Sequence, residues 1–215
     1  MAEARRRYPY FALTDHGPQS PAASMTAEEA LAQRAELRAL ERAGGPVLWH
    51  GAELCITPDG GLGFDAAFFG GFDLLIAAVH TRLATGRDEM TRRLLAAVEH
   101  PAVKILGHPT ARVIGRRGAL GFDTDAGFEA AARAGAAPEI NAAPDRLDLS
   151  HELARRAVGL GALFVISSDA HDLGQLDNLR YGVVVTQRAW IPPERVINAG
   201  STARLRHFLC KGRSP

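Results

Sequence analysis

The chain has 215 residues, 47% of them hydrophobic and 23% charged, an ordinary balance for a globular protein long enough to bury a core without disulfide staples. Its formal charge of +1 gives no general attraction to nucleic acid, so any affinity for DNA has to come from a local patch. No apolar run approaches the roughly 18–20 residues of a membrane span, and two distant cysteines, Cys55 and Cys210, form no metal-binding pair and fit a reducing cytoplasm.

The N-terminal stretch 1–7 is basic, lacks the apolar core of a signal peptide, and reads as the last turns of a helix. The first strand signal, 10–14, runs into Thr14-Asp15-His16. A helix is predicted over 26–43, with Thr26 and Glu29 as a capping box and Gly44-Gly45 as its stop. A second strand, Val47-Leu48-Trp49, leads through His50 to Glu53. Thr57-Pro58-Asp59-Gly60-Gly61 reads as a turn between Ile56 and Leu62, as in a small hairpin, and Phe68, Phe69 and Phe72 read as core. The apolar run 74–79 stops at His80.

A second helix is predicted over 88–99, with Met90, Leu94, Leu95 and Val98 as its apolar stripe. The next run, 103–107, stops at His108, and 115–118 reads as an exposed loop. Helices over 125–133 and 150–160 alternate with runs that end at Asn141 and at Ser167-Ser168-Asp169-Ala170-His171. Short helices are predicted over 193–199 and 201–209, the last capped by Ser201.

This alternation predicts one α/β domain built around a parallel sheet. Parallel barrel strands present their C-terminal ends to one face, where active sites sit. Six runs ending in polar residues therefore predict one shared site. His16, Glu53, His80, His108, Asp169 and His171 are the candidate metal ligands, and the carboxylates Asp15, Glu53 and Asp169 the catalytic candidates. Four imidazoles and two carboxylates exceed the needs of one ion. A cluster of ions bridged by a carboxylate such as Glu53 suits phosphoester hydrolysis, since neighbouring metals stabilise both attacking and leaving oxygens.

Arg82, Arg112, Arg116 and Arg117 follow these strand ends and are the candidate phosphate or DNA contacts; the competing reading is a solvated basic loop. Asn141 either orients a ligand or shapes a turn, a supporting role. His50, His100, His151 and His207 fall before or within other patterns and read as structural or solvent-exposed.

The segments Tyr10-Phe-Ala-Leu-Thr-Asp-His16, His50-Gly-Ala-Glu53, Val79-His80, Leu106-Gly-His-Pro-Thr110, Glu139-Ile-Asn141, Asp145-Arg-Leu-Asp-Leu149 and Ser168-Asp-Ala-His171 with Gln175-Leu-Asp-Asn178 resemble the PHP (polymerase and histidinol phosphatase) family. The likeness is to the PHP domain at the C-terminus of bacterial family X DNA polymerases, and it covers nearly the whole chain.

It implies a distorted (βα)7 TIM-like barrel, up to three Mn2+ or Zn2+ ions, and phosphoesterase activity at DNA 3′ ends. By that likeness Glu53 bridges two ions, His80 and His108 hold one of them, Asp169 binds the other, and His16 and His171 hold the third. Two departures stand out. Cys55 replaces an acid common in polymerase-linked relatives. The family's first His-x-His strand is missing ahead of Tyr10, so 1–215 is expected to be a single PHP domain truncated at its N-terminus. Without that strand the sheet exposes edges, which predicts dimerisation or poor solubility. A polymerase domain in a longer protein is the implied partner. The competing functions are a small-molecule phosphatase of histidinol-phosphatase type and a catalytically impaired remnant that binds metal or DNA.

Overall fold

The computed structural model describes residues 8–21, 25–44, 46–63 and 69–210. The expected helical turns over 1–7, Gly45 and Phe68 lie outside the described residues. Six strands, β1 (Tyr10–His16), β2 (Val47–Cys55), β3 (Leu74–Ala78), β4 (Ile105–Leu106), β5 (Ala137–Asn141) and β6 (Val165–Ser167), form one sheet in chain order. Every neighbouring pair is parallel. The sheet curls into a half-barrel. Helices α1 (Ala27–Arg42), α2 (Arg87–Val98), α3 (Thr124–Ala134), α4 (His151–Gly159), α5 (Leu179–Arg188) and α6 (Thr202–Cys210) accompany it. No helix among the described residues is long and apolar enough to cross a membrane.

Local sequence explains most of the helix ends. Thr26 caps α1 with both halves of the capping box in place. Asp123 caps α3, Ser150 caps α4, and the Ser201 hydroxyl accepts from the Arg204 amide in the first turn of α6. Gly135 closes α3 in the left-handed conformation, φ +71°, that favours glycine.

Strand register decides what points inward, because side chains alternate with period two. Pairing of Tyr10 with Val47 and His16 with Glu53 puts Tyr10, Ala12, Thr14 and His16 on one face with Trp49, Gly51 and Glu53. Successive registers continue that face through Leu74, Ile76, Ile105, Ala137, Glu139, Asn141, Val165 and Ser167. Its lower layer is apolar: Trp49, Leu74, Ile76, Ile105, Ala137 and Val165 pack with Leu205, Phe208 and Leu209 of α6. The opposite face buries Leu54, Leu75, Ala77 and Leu106 against Met90, Leu94 and Ala97 of α2, and Ile140 and Phe164 against α4 and α5. With apolar packing filling one end and the outside, the polar inward residues are left at the strand C-termini.

Two expectations change, and one helix was not foreseen. The turn over 57–61 is present, with the Thr57 amide on the Gly61 carbonyl at 2.8 Å, but the flanking residues pair as no hairpin. The segment 193–199 is two short 3-10 turns, Pro193–Arg195 and Ile197–Ala199, rather than one helix. Between them Val196 is extended because the chain pairs with the edge of β6, Phe164 N to Arg195 O and Ile197 N to Phe164 O, each 2.8 Å. Helix α5 and the 3-10 turn Gly174–Asn178 before it carry no clear sequence signal. Gly182 and the three valines of α5 are weak helix formers. Packing decides instead: a Cβ on Gly182 would meet Ile166 Cγ2 at 2.4 Å, so the glycine lets α5 lie directly on the sheet.

Across the seam between β1 and the chain after β6, the Tyr10 hydroxyl donates to Asn198 O (3.0 Å) and the Tyr8 hydroxyl to Leu176 O (3.3 Å).

Candidate metal centre

Five strand ends deliver their side chains to one place. The Glu53 carboxylate, 8% exposed, offers Oε1 to His80 Nε2 at 2.9 Å and to His108 Nε2 at 3.0 Å. The His80 ring lies edge-on to both His16 and His108, each at 5.2 Å between centroids. One ligand atom from each of His16, Glu53 and His80 falls within 4.8 Å of the others. His171 stands at the rim, its ring 6.2 Å from that of His16 and its Nδ1 3.0 Å from the Asp169 carbonyl. His108 (φ +25°) and Asp169 (φ +50°) hold left-handed backbone at these ends. Such conformations are uncommon for non-glycine residues and cluster at functional sites.

The charges explain one another. Burial raises the Glu53 carboxyl, but hydrogen bonds and charge from His108 and His80 outweigh it and hold Glu53 well below the usual range. Burial lowers His80, while Cys55 and Glu53 push it up to about 9. His108 is raised by the same balance, with Glu53 and Glu139 outweighing burial. Two imidazoles thus converge on one buried carboxylate oxygen, and the same three side chains are of the types that bind a divalent cation once the rings are neutral. The buried Nδ1 atoms of His16, His80 and His108, like that of His50 off the site, have no hydrogen-bond partner among the described residues. The donor set of imidazole nitrogen and carboxylate oxygen suits Zn2+ or Mn2+.

Behind this layer lies a polar floor that sequence reasoning largely missed. Glu139, 4% exposed, accepts from the His108 amide at 2.5 Å, from Asn141 Nδ2 at 3.2 Å and from the Ser167 hydroxyl. Burial pushes its carboxyl up to about 7, with His108 opposing and Asp169 and Glu53 adding to the rise. Asn141 also donates to Asp169 Oδ2 at 3.0 Å, and Arg146 Nε lies 3.4 Å from the same oxygen. Asn141 therefore braces Asp169. The signal for Glu139 was present: it shares the inward face of a buried strand with Asn141, and a carboxylate there has to be partnered.

Other expected residues lie elsewhere. Asp15 occupies the outward register of β1 and accepts from Gln33 of α1, so the structure does not bring it into the cluster. Gln33 also meets buried His50, Oε1 to Nε2 at 3.0 Å. Arg112 donates to the carbonyls of Arg146 and Leu147, and Arg117 to that of Ala111, so both guanidiniums brace loops. Arg116 is exposed, and with Arg112 and Arg117 it lines a hollow of about 440 Å³. Arg82 is exposed beyond β3 at φ +49°. Cys55 lies 3.8 Å from Thr81 Oγ1; burial raises its thiol, but His80 and Thr81 bring it down to about 7.

No family model matches the chain. A probable phosphatase of Shewanella amazonensis (strain ATCC BAA-1098 / SB2B) is 30% identical over 217 residues, covering 93% of this chain and 78% of the relative. The chain belongs to the PHP family. The DNA polymerase/3′-5′ exonuclease PolX of Bacillus subtilis (strain 168) is 36% identical over 214 residues, or 97% of this chain. The chain spans 37% of that relative's length. Among solved structures, the PHP fold is matched by histidinol phosphate phosphatase from Lactococcus lactis subsp. lactis Il1403, complexed with zinc, L-histidinol and phosphate. The TM-score is 0.54 at 15% identity, over 87% of this chain and 85% of that one, a likeness of fold.

Proposed function

We propose that this chain is a metal-dependent hydrolase of phosphoester bonds at DNA 3′ ends, of 3′-5′ exonuclease or 3′-phosphatase type. The observation that carries the reading is the sharing of one buried Glu53 oxygen by His80 and His108, with His16 alongside. The six strands are read as part of a distorted (βα)7 barrel and residues 1–215 as a single PHP domain, working in the cytoplasm.

His16, Glu53, His80, His108, Asp169 and His171 would hold up to three ions, Mn2+ or Zn2+. Bound there, such ions supply Lewis acidity toward a phosphoryl oxygen and activate water near neutral pH. The chain's own residues set the stage. Glu53 stays ionised between its imidazoles, and Asn141 with Arg146 orients the Asp169 carboxylate. Glu139 fixes the backbone of His108. Exposed Arg116, beside Arg112, Arg117 and more distant Arg82, offers charge-assisted contacts to a phosphate backbone. The identity to PolX supports DNA as substrate, and a polymerase domain as the companion in a longer chain.

The test is release of nucleotide or phosphate from a 3′-labelled oligonucleotide with Mn2+ in excess. Release that disappears in Glu53→Gln is the expected result; no hydrolysis of any phosphoester would sink the reading. The identity to a probable phosphatase favours a second reading, a small phosphomonoester as substrate. Steep salt dependence of substrate affinity separates the two, because counterion release grows with the number of phosphates contacted.

A further inference from the structure

We infer that the flank of the half-barrel between α4 and α5 is a binding site for single-stranded nucleic acid, with Trp190 stacking on a base and Arg155 and Arg188 meeting phosphates. The inference deepens the DNA reading above and rests on it. A hollow of about 500 Å³ opens here, lined by His151, Glu152, Arg155, Arg188 and Trp190. It begins at the first residue of α4, on the side where the strands end.

Trp190 is the odd residue of the surface. It is 80% exposed, whereas the other tryptophan, Trp49, is 6% exposed. Trp190 follows the last turn of α5 at φ +57°, and Ile191 N closes the turn on Thr186 O at 3.0 Å. That position ordinarily takes glycine, and a bulky side chain there is strained. Folding gains little in return, since the indole is barely buried. Strain without burial points to a use for the exposed ring.

The surroundings specify the ligand. The Arg155 guanidinium sits 5.2 Å from the indole centroid and donates to Arg188 O at 2.9 Å. It steadies the ring from one side, and four-fifths exposure leaves the other side open. Among the residues lining the hollow Glu152 is one acid against Arg155 and Arg188, so the two arginines dominate the field. An aromatic face beside guanidiniums is the usual platform for an unpaired base and its phosphate. The concavity also suits a nucleotide better than a flat protein face, being within the roughly 300–1,000 Å³ of small-ligand sites. A strand whose 3′ end reaches the metal centre would leave over the rim and descend this flank.

Intrinsic fluorescence tests this on the intact protein, because Trp190 is the exposed one of two tryptophans. The protein is titrated, in chelator to prevent hydrolysis, with an oligothymidylate of roughly a dozen nucleotides. Saturable quenching of the red-shifted emission is expected, weakening with salt. Read by the anisotropy of a 5′-fluorescein-labelled oligothymidylate, which needs no tryptophan, Trp190→Gly should bind about tenfold more weakly yet melt no lower than wild type, since glycine suits the backbone there. Trp190→Phe should keep most of the affinity, and Arg188→Ala should reduce the salt slope by about one.

Unchanged emission at saturating oligonucleotide, or wild-type affinity in Trp190→Gly, overturns the proposal. So does emission that ignores the oligonucleotide but shifts blue with protein concentration, which assigns the flank to a second copy. Release of a nucleotide from a 3′-labelled dinucleotide with Mn2+ tests the metal centre separately. Quenching without any release leaves the flank site standing and removes the hydrolytic reading.

Discussion

The side-chain amide of Asn198 spans the backbone of Ile166, accepting from its N–H at 3.0 Å and donating to its carbonyl at 2.7 Å. Asn198 therefore does for β6 what a neighbouring strand would do, covering an edge that otherwise invites pairing with another chain. Asn198→Ala leaves both Ile166 groups without a protein partner. The expected loss is about 1–3 kcal/mol. At roughly 2–4 °C per kcal/mol for a chain of this size, a thermal melt resolves it. Asn198→Asp should do no better, because a carboxylate would face the Ile166 carbonyl. Wild-type melting of Asn198→Asp would show that the amide is not the cover.

Glu139 ties the ends of β4, β5 and β6 together by accepting from His108, Asn141 and Ser167. Glu139→Leu strands the His108 amide and the Ser167 hydroxyl, at about 1–3 kcal/mol for each buried group left unsatisfied, and leaves Asn141 Nδ2 only its bond to Asp169. Glu139→Gln keeps an acceptor for His108 and can face Ser167 with its amide, so it should fold nearly as well as wild type. In that variant Mn2+ affinity should fall about 10- to 100-fold, the usual effect of disturbing groups that orient metal ligands. Calorimetric metal titration beside urea unfolding separates the two effects. Equal metal affinity in Gln and wild type would remove Glu139 from the support of the site.

Asp148 has one carboxylate oxygen on the Thr110 amide, at 3.0 Å, and the other buried with no hydrogen-bond partner among the described residues. Burial raises this carboxyl above 3.8, against the lowering effects of His108, Thr110 and Arg112. The folded protein therefore binds this proton more tightly than the unfolded chain does. The group's contribution is whole below its unfolded pKa and is lost as pH rises through the folded one. Asp148→Asn should gain stability relative to wild type as pH rises from about 4, the ordinary Asp value, through the raised folded value. Urea midpoints across that range check it, and a constant difference would show that Asp148 does not titrate with folding.

Gly182→Ala sets two effects against each other. Alanine improves helix propensity by about 1 kcal/mol. Its Cβ, however, would lie 2.4 Å from Ile166 Cγ2 and 3.1 Å from Ala142 Cβ. Overpacking of this kind costs about 1–3 kcal/mol, and Ile166 is held by the sheet, so the clash should prevail. A urea midpoint above wild type would mean that α5 moves away freely.

Much of this was legible in the chain itself. Apolar runs ending in His16, Glu53, His80, His108, Asn141 and Asp169 require neither packing nor partners to be seen, and parallel strands must bring such ends together. Helices with local caps, such as Thr26 with Glu29 or Ser150, were equally plain because their signals lie within four residues of each other. Helix α5 was hidden because glycine and valines disfavour it locally, and only contact with β5 and β6 makes Gly182 an advantage.

Sequence alone determined the parallel α/β plan and the polar residue types carried at the strand ends, since period, capping and residue chemistry are local properties. Tertiary structure decided the rest. It turned Asp15 outward by register, made Glu139 the buried tie between strands, committed Arg112 and Arg117 to carbonyls, and left Trp190 bare on the flank. Each of these depends on which distant groups arrive beside a residue, and hydrogen bonding and burial are settled by that arrival.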